Sequence, residues 1–394
     1  MHSNFLRVFS FVTIHPRCHL KLFSFPLDCG TLGHPIPFKP KSSMAPPPPP
    51  PPASRIGLSL EEWQGWGTSS PVPAMVNTIF DDLRALEREM DEPINFSGPR
   101  GKLQGEYKYM EDRKHREAYD AMTDSEEKLQ FFSARQISCR LLGSRGYLCQ
   151  KCWLASTDCM CSNIVNCSLW NGLRFWVYMH PKDFLRQNNT GKLLWQIFGV
   201  QSACLCLFGV REHEESMWSA FQFAGKCKVW CLYPDQHATT QSIEDIGFPN
   251  LLASSDSPAT MMCQEQPVNF VLIDGTWNNS AAMFRRLKQR ARIEWGSEDF
   301  SCLSFPNSTV SVMHKLRPQP SWDRTCTAAA AVQLLSELSH LPSLESKGLD
   351  KQAEALGNAL VVLLDALINR RKRMGRSITR RERSNNNRSY QKHE

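Results

Sequence analysis

One stretch decides the fold: Val268-Asn269-Phe270-Val271-Leu272-Ile273-Asp274-Gly275-Thr276-Trp277. In it an apolar, β-branched run ends abruptly in an acid, a glycine, a hydroxyl and an indole. A continuous apolar run of this length is typical of a strand that is covered on both faces, as in a parallel sheet. Ligands of open α/β sheets bind just beyond the carboxyl ends of the strands. We therefore expect Asp274 and Trp277 at a functional edge, followed by a helix over residues 278–292.

Outward from this stretch, apolar runs alternate with segments of helical pattern. Further strands are predicted at residues 173–179, 203–210, 228–232 and 301–305, and helices at residues 182–198, 214–223, 328–338 and 349–369. This alternation predicts an α/β fold with a mostly parallel sheet and right-handed crossovers. Three strand ends with unusual residues then share one edge of the sheet: His180-Pro181, Tyr233-Pro234-Asp235, and Asp274 to Trp277.

Composition divides the chain of 394 residues into five parts. We predict a disordered, proline-rich or transit-like segment over 1–75, a helical extension over 76–138, a metal knuckle over 139–167, a catalytic domain over 168–369 and a basic disordered tail over 370–394. No apolar run approaches the 18 or more residues that a membrane helix needs, so no membrane partner is expected. Residues 74–90 have an amphipathic pattern, which we interpret as a solvated helix or a partner-docking arm.

Both ends of the chain bear on location. Residues 1–43 contain Asp28 as their one acid against five basic residues, a composition that resembles an organellar transit peptide. The alternative is that Met44, which precedes the polyproline run Pro46–Pro52, is the true start. The tail over 370–394 holds ten Lys and Arg residues against Glu382 and Glu394, which suits nucleic-acid contact or nuclear import. We expect a nuclear or cytoplasmic protein, with organellar import through residues 1–43 as the other reading.

Fifteen cysteines, an odd and scattered set, argue for a reducing compartment rather than for a secreted disulfide framework. Four of them form two close pairs: Cys149 with Cys152, and Cys159 with Cys161. Two tight turns can bring four sulfurs to one point, and tetrahedral Cys₄ is a preferred geometry of structural zinc. The spacing predicts a zinc knuckle; the alternative is four unrelated buried thiols.

Common nucleotide and hydrolase motifs are absent: no G-x-G-x-x-G follows a strand, and neither a phosphate-binding loop nor G-x-S-x-G occurs. The motifs that are present resemble, in order, the DTW-domain family of tRNA-uridine aminocarboxypropyltransferases, which are related to the knotted SPOUT-type transferases. They are the four cysteines, His180-Pro181, Asn189-Thr190-Gly191, Leu232-Tyr233-Pro234, Asp274-Gly275-Thr276-Trp277, Leu316-Arg317 and Thr327-Ala328-Ala329. The family often has a proline soon after the second cysteine, where this chain has Trp153-Leu154.

The resemblance implies a SPOUT-like fold with a knot in its C-terminal half. It also implies transfer of a 3-amino-3-carboxypropyl group from S-adenosylmethionine to N3 of a uridine in tRNA. Asp274, Thr276 and Trp277 would be catalytic. The cofactor would contact the set His180, Asn189, Thr190, Leu232, Tyr233, Pro234, Arg317 and Thr327.

The resemblance leaves the roles of single residues open. Asp274 would be the general base or would place the ammonium of the cofactor, and its alternative is a cap for the next helix. Trp277 would stack on adenine or on the base, or lie over the sulfonium, and its alternative is a core indole. Arg317 and Thr327 would bind the amino acid carboxylate or the phosphate backbone, and their alternative is a surface salt bridge. His180 is expected to be structural or a hydrogen-bond donor rather than a base.

RNA binding is predicted on the helix after Trp277, beside the strand ends. This helix carries Arg285, Arg286, Lys288, Arg290 and Arg292, and with the basic tail it makes a cationic footprint for tRNA. Two other function classes remain: an S-adenosylmethionine-dependent RNA methyltransferase (or an aminocarboxypropyl transferase acting on rRNA), and a non-catalytic zinc or RNA-binding adaptor.

Overall fold

The computed structural model describes residues 57–89, 105–233, 243, 266–303, 305, 311–316 and 325–378. Several predictions of the sequence lie outside these ranges. They concern the transit-like segment, the polyproline run, the tail beyond residue 378, Pro234 and Arg317.

The centre of the fold is a sheet of five parallel strands in the order β2-β1-β4-β3-β5. Their bounds are Leu173–Met179 (β1), Ala203–Leu207 (β2), Val229–Leu232 (β3), Val268–Asp274 (β4) and Cys302–Leu303 (β5). The predicted parallel α/β fold is confirmed, and β4 lies in the middle of the sheet, as its unbroken apolar sequence requires. β2 ends at Leu207, before the predicted 210, because the chain turns at Gly209 with a φ of 72°.

Nine α-helices surround the sheet in the part of the chain that the structure describes. They are Leu60–Gly65 (α1), Ala74–Glu89 (α2), Gly105–Ala121 (α3), Ser125–Ser144 (α4), Lys192–Phe198 (α5), Arg211–Ala224 (α6), Trp277–Trp295 (α7), Thr327–Ser339 (α8) and Leu349–Arg373 (α9). None of them combines the length and apolar character needed to cross a bilayer. The helix predicted over 182–198 begins only at Lys192, since turns that include Leu185 at a φ of 57° precede it.

Alternate residues of the strands feed two hydrophobic layers. Phe175 and Val177 of β1 point into the layer that contains α5, α8 and α9. Trp176 and Tyr178 point into the opposite layer, which contains α6 and α7. Because strand side chains alternate between the faces of a sheet, Asp274 shares the first layer with Phe270 and Leu272. This parity places the carboxylate beneath α5 rather than beneath α7.

The segment before the sheet differs from its prediction. The chain up to about residue 73 was expected to be disordered apart from a short helix over residues 59–63. That helix is present as α1, but Trp63 and Trp66 of this segment are fully buried. The ring of Trp63 packs against Phe184 at 6.2 Å and against His213 at 5.7 Å between centroids. α2 is not solvated either: its Val76, Ile79, Phe80 and Leu83 join the first hydrophobic layer. Burial of the two large indole rings stabilises the folded state by more free energy than ordering the flanking polar residues costs. The segment therefore packs as part of the core.

The sequence Thr123-Asp124-Ser125-Glu126 has the pattern of a helix start, and α4 begins at Ser125. Asp124 is its N-cap and accepts hydrogen bonds from the backbone N–H groups of Glu126 and Glu127. The knot stays a prediction, because its path after β5 runs through residues 304, 306–310 and 317–324, which lie outside the described residues.

Candidate active site and cysteine knuckle

Three strand ends meet at the carboxyl edge of the sheet. Met179 pairs with Asp274 in the parallel register of β1 and β4, and Leu232 of β3 pairs with Leu272 on the other side. The backbone N–H of His180 donates to the carbonyl of Asp274 at 2.8 Å. His180, Tyr233 and Gly275, the residues that follow the three strands, therefore lie on the same edge, because parallel strands end on the same edge.

Asp274 is buried, with 6% of its surface exposed. Nδ2 of Asn189 donates to Oδ1 of Asp274 at 2.8 Å. Oδ1 of Asn189 in turn accepts from the backbone N–H of Lys192 at 3.1 Å, at the start of α5. The amide of Asn189 is thus held at both ends, and it fixes the orientation of the carboxylate.

The close contact with Asp274 explains why the Asn189-Thr190-Gly191 turn ends in a glycine. A Cβ at position 191 would lie 2.1 Å from Oδ2 of Asp274 and 2.9 Å from a methyl of Val177. Only a residue without a side chain lets the turn approach the carboxylate this closely. Thr190 links this turn to the start of α8, because its Oγ1 accepts a hydrogen bond from the backbone N–H of Ala328 at 3.4 Å. The first turn of α8, which begins at Thr327, therefore borders the same turn.

α7 starts directly at the motif. Its N-cap is Thr276, with φ −71° and ψ 153°, and the hydroxyl of Thr276 makes no capping hydrogen bond. The N-cap position therefore belongs to Thr276 and not to Asp274, for which capping was the alternative role. Gly275, Thr276 and Trp277 are each partly exposed, so the residues after the buried carboxylate form the accessible rim.

His180 is held neutral by its surroundings. Burial lowers the pKa of His180 to about 4. Its Nδ1 accepts from the backbone N–H of Lys182 at 3.1 Å, and its ring stacks on Phe208 at 5.7 Å and 20°. These contacts hold the ring of His180 in place. Tyr233, after β3, is likewise fixed by stacking on Phe284 at 4.5 Å, while Leu232 is partly buried.

The four cysteines of the knuckle come together as the spacing predicted. The Sγ atoms of Cys149, Cys152, Cys159 and Cys161 all lie within 4.8 Å of one another. Three of the Sγ–Sγ distances are 3.6, 3.8 and 3.8 Å. Zn–S bonds of about 2.3 Å in a tetrahedron place the sulfurs about 3.8 Å apart. The cluster can therefore hold a metal ion and is compatible with zinc, and the alternative of four unrelated thiols is wrong.

Two pKa shifts describe the electrostatics of this cluster. Burial raises the pKa of Cys149, but hydrogen bonds from the backbone of Cys152 and Lys151 outweigh it and lower the pKa to about 7. For Cys161, burial and the charge of neighbouring thiolates raise the pKa. Thiolates crowded in this way repel one another, and a bound cation removes the repulsion.

The knuckle docks on the turn that surrounds Asp274. Trp153, at a φ of 58°, packs on Phe184 and on Trp195 with 5.4 Å between centroids in each pair. Lys192 is fully buried; its Nζ donates to the carbonyl of Gln187 at 2.7 Å and lies 5.9 Å from the ring of Trp153. Since Lys192 follows Gly191, the knuckle and the carboxylate share one support.

The predicted RNA contacts on α7 need a correction at Arg286. Its guanidinium pairs with Glu214 of α6 and with Glu126 of α4, each with an Nη2 to Oε distance of 2.6 Å. Glu214 also accepts from the hydroxyl of Tyr178 at 2.6 Å. Arg286 therefore ties three helices to the sheet, and it is not available to a phosphate.

The other cations of α7 lie nearer the surface. Arg285 is exposed, Arg290 pairs with Glu294 at 2.6 Å, and Arg292 pairs with Glu298 at 3.2 Å. Lys288 lies 5.4 Å from the ring of Phe284. Sequence reasoning counted these cations without their partners, because the acids that pair with Arg286 come from helices far away in the chain.

The fold and the site define an α/β domain with a cysteine knuckle and a functional edge built around an Asp-Gly-Thr-Trp turn. The family model of the DTW domain matches residues 146–372, more than half of the chain, and the chain belongs to this family. The DTW family is the family of tRNA-uridine aminocarboxypropyltransferases, so the chain carries a domain of tRNA-modifying enzymes. No solved structure matches the chain.

Proposed function

We propose that the chain transfers a 3-amino-3-carboxypropyl group from S-adenosylmethionine to N3 of a uridine in tRNA. The N3–carbon bond forms, the carbon–sulfur bond breaks, methylthioadenosine leaves and the N3 proton is lost. The observation that carries the proposal is the family match together with Asp274 at the carboxyl edge, inside a turn that admits only glycine at position 191. Strand ends of this kind are where α/β folds bind their substrates.

The residues at this edge fit the donor chemically. The donor carries an ammonium, a carboxylate and a sulfonium, and its sulfonium already activates the neighbouring carbons. Asp274 offers an anion to the ammonium. The start of α7, with no acid in its first turn, offers backbone N–H groups and the positive end of a helix dipole to the carboxylate. The set proposed for the donor is His180, Asn189, Thr190, Leu232, Tyr233, Pro234, Arg317 and Thr327, of which Pro234 and Arg317 lie outside the described residues.

The protein then has to select the carbon that is transferred and to remove one proton. Holding the reactants in a single orientation accounts for the first need, and the rigid hydrogen bond between Asn189 and Asp274 supports it. A carboxylate within reach of the imide accounts for the second, because N3 is a poor nucleophile until its proton leaves. In this proposal Asp274 is the general base or holds the ammonium of the cofactor. Thr276 and the partly exposed ring of Trp277 border the uracil ring of the substrate.

Zinc in the knuckle is proposed to be structural. The four cysteines use all positions of a tetrahedron, which leaves none for a substrate. Through the packing of Trp153 and the hydrogen bond of Lys192, the metal site would hold the turn around Asp274 in a fixed position.

The deciding experiment follows the label. Purified protein is incubated with tRNA, or in a parallel reaction with rRNA, and with S-adenosylmethionine labelled either in the amino acid chain or in the methyl group. The nucleosides are then analysed by mass spectrometry. Transfer of the chain label to uridine supports the proposal. Transfer of the methyl label would instead identify a methyltransferase. Label in rRNA but not in tRNA would show that rRNA is the substrate.

An Asp274→Asn variant separates the enzyme from an adaptor. We expect it to bind tRNA as the wild type does and to modify uridine at least about 100-fold more slowly. Asp365→Asn, at an exposed acid of α9, is the matched control and should keep full activity. Full function of Asp274→Asn in cells that lack the wild-type protein would support the adaptor and contradict the proposal.

A further inference from the structure

α4 lies across the carboxyl ends of β1 and β2. A Cβ built on Gly209, just after β2, would lie 2.5 Å from Oγ of Ser133 and 2.8 Å from Cγ of Leu129. Farther along the helix, Nη1 of Arg140 donates to the carbonyl of Phe184 at 3.1 Å. One wall of the edge therefore comes from residues 125–144, which precede the 146–372 span of the family match.

This wall brings an aromatic ring to the motif. The ring of Phe132 stands edge-on to His180 at 6.4 Å, and His180 stacks on Phe208. A Cβ on Gly275, inside the Asp-Gly-Thr-Trp turn, would lie 3.5 Å from Cβ of His180. Phe208 is buried, whereas Phe132 keeps part of its surface open to solvent. Phe132 is thus the member of this aromatic row that a ligand at the rim can reach.

A cation accompanies the ring. Nζ of Lys182 lies 5.2 Å from the centroid of Phe132, and Lys182 is exposed. Its neighbour Asp183 is buried and pairs with Arg186. Among the residues that the structure describes, Lys182 forms no ion pair, in contrast to Arg286, Arg290 and Arg292 of α7.

We propose that Phe132 and Lys182 form a shelf that positions the RNA substrate, with a base stacked on the ring and the adjoining phosphate held by the ammonium. An aromatic face beside a lysine is how proteins commonly bind unpaired nucleotides, because every base offers a π-face to stack on. N3 of a uridine is reachable only when the base is unpaired, so a stacking partner next to the motif serves the reaction. The inference rests on the proposed function and adds to it a positioning surface outside the family span.

Phe132→Leu tests the ring. It keeps apolar volume against His180 but removes the aromatic face. We expect KM for tRNA to rise about 10- to 100-fold, with kcat and the Kd for S-adenosylmethionine within about 2-fold of wild type. Phe132→Tyr should restore KM. Phe131→Leu is the matched control, because Phe131 faces His115 at 5.6 Å instead of the edge, and its KM should be unchanged.

Lys182→Gln tests the cation. It should weaken tRNA binding and reduce the slope of log K against log salt by about 1. Lys128→Gln is the control, because Nζ of Lys128 also lies 5.2 Å from a ring, that of Tyr119, and it should leave the slope unchanged.

The outcomes separate the shelf from the proposed function. If wild-type protein transfers no chain label to tRNA, the proposed function fails. If it does transfer the label and Phe132→Leu changes KM no more than Phe131→Leu, the shelf is overturned. A fall in kcat with unchanged KM, or equal losses in Tyr and Leu variants, would show that Phe132 only packs against His180 and would also overturn it.

Discussion

The cysteine knuckle and the Asp274 edge are built in opposite ways. All four sulfurs of the knuckle come from one short stretch between Cys149 and Cys161. At the edge, the bond between Asn189 and Asp274 joins residues 85 positions apart, and the bond between Thr190 and Ala328 joins residues 138 positions apart. The knuckle depends on local turns and a metal, whereas the edge depends on the order of the strands. Changes in the knuckle should therefore act on stability first, and changes at the edge on chemistry first.

The largest effect is expected from Cys152→Ser. Loss of one ligand from a tetrahedral site of four cysteines removes most of the metal binding energy, which in structural zinc sites is folding energy. We expect bound zinc to fall from about one ion per chain to near zero and the unfolding free energy to fall by roughly 5 kcal/mol or more. Metal analysis and urea unfolding measure the two.

Cys167→Ser is the matched control for this change. Cys167 is partly buried and close in sequence, but it lies outside the cluster. It should keep its zinc and most of its stability. Zinc retained at wild-type affinity in Cys152→Ser would show that the four sulfurs do not act as one site.

The next effect concerns the pH dependence of the edge. Burial lowers the pKa of His180 from 6.5 to about 4, so the unfolded chain takes up a proton in this range and the folded chain does not. The stabilisation from neutral His180 is complete above pH 6.5 and is lost as the pH falls toward 4, a difference of about 3 kcal/mol. In zinc-saturated buffer, His180→Asn should flatten the fall of the unfolding free energy by this amount.

The exposed His340 supplies the comparison for that slope. His340→Asn should lose stability with falling pH as the wild type does. An unchanged slope in His180→Asn would mean that the ring of His180 charges freely in the folded protein.

Gly191→Ala tests the close approach at the edge. The new methyl cannot remain 2.1 Å from Oδ2 of Asp274, so either the turn or the carboxylate has to move. We expect a stability loss of about 1–3 kcal/mol and an activity loss of roughly 100-fold, with zinc content unchanged. Gly357→Ala in α9 meets nothing within 4 Å and should be neutral or stabilising. Equal activities of Gly191→Ala and Gly357→Ala would show that the close approach of the turn to Asp274 is not needed for catalysis.

The smallest effect is expected from Thr190→Val, which keeps the shape of the side chain and removes its acceptor for the backbone N–H of Ala328. This bond is long, at 3.4 Å, so its loss should cost about 0.5–1.5 kcal/mol. Thermal unfolding measures the change, and Thr78→Val on α2 controls for loss of a threonine hydroxyl elsewhere. A loss above about 3 kcal/mol would mean that α8 depends on Thr190 far more than one bond allows.

The contrast between the two regions also explains what the sequence could predict. The knuckle and β4 were readable, because a fixed cysteine spacing and an unbroken apolar run each imply one local geometry. The parallel order then placed His180, Tyr233 and Asp274 on one edge. The start of α5 was readable only in part. Asn189, Thr190 and Gly191 are residues typical of a turn and stand directly before Lys192, but no glycine stands at Leu185, where the left-handed backbone first interrupts the predicted helix.

Charges were the least predictable feature. Arg286 has the sequence appearance of a nucleic-acid contact, but Glu126 and Glu214 reach it from two other helices. Phe132 and Lys182 carry no periodic signal at all, and they meet only because α4 crosses the strand ends. Pairings between distant segments are decided by topology, so residue type alone does not reveal them.

The buried indoles of Trp63 and Trp66 have a practical consequence. Both lie before residue 146, where the family match begins. A recombinant fragment of residues 146–372 would lack these two rings. The surface of Phe184 and the neighbouring aromatic residues that they cover would then be a hydrophobic patch exposed to solvent. Such a fragment should precipitate when it is expressed, although it contains every motif by which the enzyme family is known.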